Sequence, residues 1–156
     1  MVAPQTSMLT LTWHDTQAGV EAAIVGARHQ ANHAIVSVRL PLLSDLTVAE
    51  NIALPRCWHL GVNEALAEAQ ARALVSRLLP IERASLYPWQ LKPPELLAAL
   101  WLRAAAIPKQ TIVIETPLTS FGISEAYLLE CAGRCHGLFD RAVAHERRIQ
   151  LNAAAA

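Results

Sequence analysis

The stretch from Leu42 to Pro55 reads LLSDLTVAENIALP and holds the clearest local signals in this chain of 156 residues. Within it, Thr47 and Glu50 have the T-x-x-E spacing of a capping box, in which each side chain bonds the free backbone N–H of the other residue at a helix start. We therefore predict a helix that begins after Thr47. We expect it to end near Leu54, because Pro55 cannot continue the hydrogen-bonding pattern.

Two further helices are predicted downstream of this stretch. Asn63 is a suitable N-cap for the first, and Pro80 is its expected end. Its apolar positions, which recur with the helical period, are Leu66, Ala69, Ala73, Leu74 and Leu78. Pro93 and Pro94 are tolerated at the start of the second helix, which Pro108 ends. Its predicted buried positions are Leu96, Leu97, Leu100, Trp101 and Ala104.

Short runs rich in β-branched and apolar residues flank this helical block and are predicted to be strands. These runs are residues 8–13, 20–26, 33–38, 111–115, 139–144 and 148–151. Ser124 is expected to start another helix. The run 111–115 (TIVIE) has the composition of a buried central strand, and its terminal acid, Glu115, needs a partner if it is buried.

This order of elements predicts an α/β fold with an inserted group of helices. We expect a single domain over residues 1–156, because the length is that of one domain. Its core is predicted at about 1–41 and 107–152, and its helical subdomain at about 42–106.

Composition excludes several classes of protein. With 53% hydrophobic and 17% charged residues, the chain should fold rather than remain disordered. Its 13 Lys and Arg residues are balanced by 13 Asp and Glu residues without a basic block, which argues against nucleic acid as a partner. The sequence shows no secretory signal and no apolar run of about 20 residues, so we expect a cytoplasmic location.

Three cysteines, Cys57, Cys131 and Cys135, are interpreted as buried thiols, since no further ligands at metal-binding spacing accompany them. An unrelated hydrolase that uses Cys57, Cys135 or His136 is an alternative, although such a nucleophile needs a base and an orienting group placed by the fold.

The stretch Leu42 to Pro55 resembles the segment after the Q-loop of ATP-binding cassette (ABC) ATPases, where LxxxLTVxENVxxPL is common. Residues 87–95 (YPWQLKPPE) resemble the signature Y-P-x-x-L-S-G-G-Q, and residues 112–117 (IVIETP) resemble the Walker B strand that ends in D-E-P. Spacing agrees as well: Leu91 precedes Arg103 by 12 positions and Glu115 by 24, as in the family. Residues 139–149 are similar to the strand pair after the switch histidine.

The resemblance implies a trimmed P-loop NTPase core of the ABC ATPase type that carries an inserted helical subdomain. Within the family, the closest likeness is to the cassettes of lipid-trafficking importers of the Mla or Mce kind. In the family, the phosphates of ATP are held by G-x-x-x-x-G-K-[ST], and the sequence contains no such motif.

Other functional positions of the family are also altered. The Q-loop glutamine falls at Val38, and the signature Ser-Gly-Gly is replaced by Lys92, Pro93 and Pro94, of which the prolines offer no backbone N–H. A chain with these changes lacks groups that reach the nucleotide in the family.

The Walker B aspartate becomes Glu115, and the catalytic glutamate becomes Thr116, which cannot act as a general base near neutral pH. The D-loop aspartate becomes Gly122. Only 18 positions separate Gly122 from Asp140, so we predict that the family's helix, strand and switch-histidine loop are deleted here, with His136 as a poor substitute.

These replacements predict a catalytically inactive ABC-ATPase-like protein without a cofactor or metal, which acts as an accessory or regulatory subunit of a transporter complex. Its expected partner is an ABC permease or an intact ABC ATPase, which would place it at the inner face of the membrane. A second copy of the chain is another candidate. The alternative is a free-standing domain that binds a small molecule in the vacated nucleotide cleft.

By the resemblance, the groove that receives the permease corresponds to about residues 40–55. The contact candidates are Leu42, Leu43, Leu46, Val48 and Asn51.

Overall fold

The computed structural model describes residues 9–107 and 111–148. Within these ranges, the strands are β1 (Leu9–His14), β2 (His33–Val36), β3 (Thr111–Glu115) and β4 (Arg141–Arg147). They form one parallel sheet in the order β1-β4-β3-β2. Every residue of β3 is buried, as expected for a central strand with both faces covered.

The segment after β1 is a helix, α1 (Gln17–Arg28), so the prediction of a strand over 20–26 is wrong. Thr16 caps this helix, and its hydroxyl accepts a hydrogen bond from the N–H of Gly19 at 3.1 Å. The buried residues Val20, Ile24 and Ala27 recur at helical spacing and pack against β3 on one face of the sheet. This tertiary contact stabilises the helix over the strand that the β-branched residues favour.

The helix α2 (Val48–Leu60) begins as predicted. The N–H of Glu50 donates to the Thr47 hydroxyl at 3.2 Å, and the N–H of Thr47 donates to the Glu50 carboxylate at 2.7 Å. Its predicted end is wrong, because the helix continues through Pro55 to Leu60. A proline inside the helix removes only one backbone hydrogen bond, and Gly61, at φ 64°, ends the helix in the left-handed conformation.

The helix α3 (Glu64–Val75) is capped by Asn63, as predicted, but it ends before Ser76 rather than near Pro80. Its buried face also differs from the prediction, since Leu66 is 53% exposed. The buried positions are Ala67, Ala71 and Val75. Small alanine side chains permit close packing of α3 on its neighbours, whereas the larger Leu66 lies outside.

Two short 3-10 turns, Ile81–Ser85 and Pro88–Gln90, lead to α4 (Pro93–Ala105). The prediction for α4 is confirmed: Leu97, Leu100 and Trp101 are buried, and Leu96 and Ala104 are partly buried against the same core. The ring of Trp101 packs against that of Phe139, with centroids 6.1 Å apart. The helix thus covers the other face of the sheet.

After β3 come α5 (Pro117–Phe121) and α6 (Glu125–Arg134), and the predicted cap of α6 is confirmed because the Ser124 hydroxyl accepts from the N–H of Tyr127 at 3.1 Å. The strand predicted at 139–144 corresponds to β4. For the last predicted strand, Arg148 is not in a strand, and residues 149–151 lie outside the described residues. Among the described helices, none has both the length and the apolar composition needed to cross a membrane.

Candidate functional site

A pocket of about 1020 Å³ lies at the carboxyl ends of the parallel strands. This is the edge of an open parallel sheet where ligands bind in α/β proteins. The lining residues are Asp15, Thr16, Gln17, Glu21, Val38, Arg39, Glu115, Thr116, Thr119, Ser120, Arg147 and Arg148. Several positions that the resemblance identifies as altered nucleotide-binding positions therefore lie together.

The connection between β1 and α1 is very short, since only Asp15 and Thr16 separate the two elements. The N–H of Gly19, in the first turn of α1, already donates to Thr16, and a Cβ at Gly19 would lie 3.2 Å from Nδ1 of His14. A phosphate-binding loop at this position needs a longer glycine-rich segment with free N–H groups that point toward the anion. The geometry here provides a capped helix start beside an aspartate.

Glu115 ends β3 and is only 4% exposed. Both Nε and Nη2 of Arg39 contact its Oε1, with Nε at 2.9 Å, and the hydroxyl of Ser37 donates to Oε2 at 3.3 Å. The expectation that a buried Glu115 needs a partner is thus met, and Arg39 is the residue that sequence reasoning missed. The ion pair neutralises the acid at the Walker B position.

Val38, at the predicted Q-loop position, is 45% exposed at the rim of this pocket. Its neighbour Arg39 instead reaches the carboxylate, and the N–H of Arg39 donates to the Ser37 hydroxyl at 3.1 Å. No sequence signal distinguished Arg39 from the other arginines, because its role depends on the pairing of β2 with β3.

Thr116 has a φ of 43°, an unusual conformation for a β-branched residue. Its N–H donates to the carbonyl of His145 at 2.7 Å, and its hydroxyl is 2.7 Å from that of Ser120. Such strain persists where surrounding contacts hold the backbone. The segment after β3 is therefore tied to the end of β4 and to α5, which ends at Gly122 with φ 62°.

Glu146 is a second buried acid, 1% exposed, that sequence reasoning missed. Its carboxylate accepts hydrogen bonds from the N–H of Leu118 at 2.9 Å and of Thr119 at 3.3 Å, and from the Thr119 hydroxyl at 2.7 Å. It thus satisfies free N–H groups at the start of α5, as a capping side chain does. This interaction fixes α5 against the end of β4.

The prediction that the segment between Gly122 and Asp140 lacks the family's helix and strand is wrong for a helix, since α6 lies there, whereas this described segment contains no strand. The strand β4 begins after Asp140, lies beside β3 and carries His145 and Glu146 near its carboxyl end. The histidine at the carboxyl end of that strand is therefore His145. His136, the substitute considered from sequence, precedes β4 and so lies toward its amino end, where its carbonyl accepts from Arg77 at 3.3 Å.

His145 forms a hydrogen bond with His14, with its Nδ1 2.9 Å from the Nε2 of His14. Burial, followed by the charge of His14, lowers the pKa of His145 below its ordinary value. The neutral form of His145 is therefore favoured at neutral pH. The two residues are 131 positions apart, so sequence spacing carries no signal for this pair.

At the signature position, Lys92 is the N-cap residue of α4 and Pro93 and Pro94 form its first turn. Neither proline has an N–H, and Glu95 accepts a hydrogen bond from Nε of Arg83 at 2.6 Å. The start of α4 therefore pairs its acid with an arginine and lacks the two backbone donors that other residues would supply.

The five predicted partner contacts divide into buried and accessible residues. Leu42, Val48 and Asn51 are buried, while Leu43 is 51% exposed and Leu46 is partly exposed. The accessible part of this surface adjoins a small cleft of about 200 Å³ between α2 and α3. Its lining residues are Leu46, Glu50, Ala53, Leu54, Cys57, Trp58, Glu64 and Glu68.

Comparison with solved structures identifies a similar fold in a dimeric bacterial ABC transporter cassette. The two share 17% sequence identity with a TM-score of 0.59, and the match covers 72% of this chain and 51% of the cassette. No family model and no curated protein matches the sequence. The fold is that of a trimmed P-loop NTPase core of the ABC ATPase type. The chain spans about half the length of the cassette it matches.

Proposed function

We propose that this chain is a catalytically inactive ABC-ATPase-like protein that acts by binding a component of an ABC transporter complex. The observation that carries the proposal is the connection between β1 and α1. By the resemblance, this connection corresponds to the phosphate-binding segment of ATP-hydrolysing cassettes, and here it consists of Asp15 and Thr16, the cap of α1. An aspartate at this position repels a phosphate, and the capped N–H of Gly19 is already bonded to Thr16.

The residues around this connection support the same proposal. Glu115, at the Walker B position, is paired with Arg39, and Thr116 replaces the glutamate that would activate water. Because a threonine hydroxyl cannot accept a proton from water near neutral pH, the site lacks a general base at that position. In this proposal, the polar groups at the carboxyl end of β3 stabilise the fold and do not take part in catalysis.

We expect no ATP hydrolysis by the purified protein. The measurement is phosphate release at saturating ATP and Mg²⁺, compared between the wild type and Glu115→Gln. Both proteins should release phosphate at the rate of the buffer alone. Turnover by the wild type that Glu115→Gln abolishes would show that Glu115 still serves catalysis and that the protein is an enzyme.

The partner that we propose is a permease or an intact cassette, with Leu43 and Leu46 as the accessible contacts. A leucine that is half exposed in a loop contributes little to the core, whereas it can insert into an apolar pocket of a partner. Such an association would hold the protein at the inner face of the membrane. The lipid-import systems of the Mla or Mce kind are the narrower proposal for the complex. The matched cassette is dimeric, so a second copy of the chain is the alternative partner.

The change Leu43→Asp is expected to reduce recovery of the transporter component about tenfold, because a buried contact is replaced by a charge that must be desolvated. Recovery is measured by quantitative mass spectrometry after pull-down from the native host in mild detergent. Leu129→Asp, on α6, is the matched control, since Leu129 is 53% exposed and Leu43 is 51% exposed. Equal recovery with both variants would contradict the proposed contact surface.

A second candidate function is a small-molecule-binding domain, which the volume of the pocket at the carboxyl ends of the strands favours. A pocket of about 1020 Å³ is large enough for a small ligand, and its arginines and acids offer polar contacts. The test is mass spectrometry of compounds released from the protein after purification. A stoichiometric ligand on a monomer without any transporter component would favour this candidate over the first.

A further inference from the structure

A second cleft, of about 570 Å³, lies on the face of the sheet that α1 covers. It extends along the sheet from the amino ends of the strands, at Arg141, to His145 near the carboxyl end of β4, and it shares no lining residue with the pocket described above. His33, Thr111 and Arg141 are the first residues of β2, β3 and β4, and the register places His33 beside Thr111 and Thr111 beside Arg141. Since neighbouring strands are about 4.8 Å apart, the three residues form a row about 10 Å across.

Arg141 is oriented within this row. Its Nε donates to the hydroxyl of Thr111 at 3.2 Å. Among the residues that the structure describes, the two terminal nitrogens of its guanidinium group have no hydrogen-bond or ion-pair partner. A guanidinium group that is held at Nε and free at its terminal nitrogens is suited to bind a phosphate or carboxylate through two parallel hydrogen bonds.

His33 also lines the cleft. Its Nδ1 is buried and has no partner in the described part of the chain. Burial, together with the charge of Arg141, lowers the pKa of His33. An anion bound beside Arg141 would offset the repulsion between its guanidinium and a protonated His33.

The remaining residues around the cleft are neutral or basic. The described lining residues are Ala23, Gly26, Ala27, Gln30, His33, Thr111, Val113, Arg141, Val143 and His145. None of these is acidic, so the lining itself contains no carboxylate that competes for Arg141. The apolar members lie beside the polar row and offer a surface for the body of a small molecule.

We propose that this cleft binds the phosphate or carboxylate group of a small ligand, with Arg141 and His33 as its main contacts. The ligand's anionic group bonds the guanidinium, and Gln30, two residues after the end of α1, also lines the cleft. The site is distinct from the pocket at the carboxyl ends of the strands. It therefore does not depend on the proposed transporter function.

The test is an NMR titration of protein labelled with ¹⁵N-histidine, with inorganic phosphate in one series and succinate in another. We expect a saturable shift of the His33 ring resonances with at least one of these anions. Arg141→Gln should weaken the apparent affinity roughly tenfold or more, because it removes a charge-assisted hydrogen bond. The series that saturates identifies whether the site prefers phosphate or carboxylate.

Arg147→Gln is the matched control, because Arg147 is on the same strand but lines the opposite pocket. It should leave the affinity at His33 unchanged. A titration without a saturable shift at His33 in either series would overturn the proposal. So would equal weakening by Arg147→Gln and Arg141→Gln, which would place the anion in the other pocket. The wild-type titration decides the question even if a variant does not fold.

Discussion

Asn51→Ala is expected to lower the free energy of unfolding by about 3 kcal/mol, since it removes a buried amide that holds a whole loop. The side-chain oxygen of Asn51 accepts from the N–H of Leu43 at 2.7 Å. Its Nδ2 lies 3.0 Å from the carbonyl of Leu43, 3.2 Å from that of Leu46 and 3.0 Å from that of Thr47. Alanine would remove the side-chain partner of the Leu43 N–H and of the Leu46 carbonyl in a site where Asn51 is fully buried, whereas the carbonyls of Leu43 and Thr47 keep a backbone hydrogen bond.

The measurement is urea-induced unfolding of Asn51→Ala beside Asn63→Ala. Asn63 caps α3 at the surface with a single side-chain hydrogen bond to the N–H of Leu66, at 2.9 Å, so its replacement should cost only about 1 kcal/mol. A loss for Asn51→Ala no larger than that for Asn63→Ala would show that the loop keeps its conformation by other means. The proposed surface at Leu43 and Leu46 would then be independent of Asn51.

The buried position of Asn51 changes the role that we expect for it in partner binding. The resemblance predicts Asn51 as a direct contact, and the structure places it beneath the loop that carries Leu43 and Leu46. Its substitution should therefore reduce recovery of a partner by releasing the loop. The N–H of Leu43 donates a hydrogen bond to the Asn51 side chain. Its hydrogen exchange is therefore expected to be faster in Asn51→Ala than in the wild type.

Arg39→Ala is expected to destabilise the fold by about 2 to 3 kcal/mol, because it leaves the buried Glu115 carboxylate without its cation. The side chain of Glu115 is 5% exposed and that of Arg39 is 49% exposed, so water reduces the effect below that of a fully buried pair. The remaining donor, the Ser37 hydroxyl at 3.3 Å, is neutral. Urea unfolding at neutral pH is the measurement.

Arg72→Ala provides the comparison with an exposed ion pair. Arg72 pairs with Glu68 at 3.1 Å on the surface of α3, where both side chains are about 40% exposed. Its removal should change stability by about 0.5 kcal/mol or less. Losses of the same size for Arg39→Ala and Arg72→Ala would mean that water solvates Glu115 when Arg39 is gone.

The double variant Arg39→Met, Glu115→Leu separates a structural role of the pair from a catalytic one. Replacement of both charges by apolar side chains of similar size is expected to restore most of the stability lost in Arg39→Ala. A protein that keeps its fold and its partner with both charges removed would behave as a binding subunit. Loss of partner recovery in this variant, with stability unchanged, would instead assign the pair a direct role in the interaction.

The helix starts were predictable from the sequence because capping acts over three residues. Thr47, Asn63 and Ser124 each bond a backbone N–H three positions later, so the pattern and the contact are both local. The positions where the helices end were less predictable from the sequence. The helix α2 passes through Pro55 since burial of its first half and the cap at Gly61 outweigh one lost hydrogen bond.

In the segment 20–26, the secondary-structure preference of the individual residues does not predict the observed helix. Val20 and Ile24 favour a strand by residue type, but they occupy one face of α1 and pack against Val113 on β3. The strand β4 was predicted from residue type at 139–144, but its position between β1 and β3 depends on the whole sheet. The extents of the core and the helical subdomain, and the partner contacts, stay predictions.

The α/β fold class follows from the order of the elements in the sequence, and the resemblance to ABC ATPases predicts which positions are altered relative to ATP-hydrolysing cassettes. The residue pairs that form the site could not be predicted from the sequence, because Arg39 and Glu115 are 76 residues apart and His14 and His145 are 131 residues apart. These contacts exist because the parallel sheet places the ends of β1, β2, β3 and β4 at one edge. Capping and periodicity are short-range, whereas the choice of a neighbouring strand depends on how the complete sheet packs between its helices.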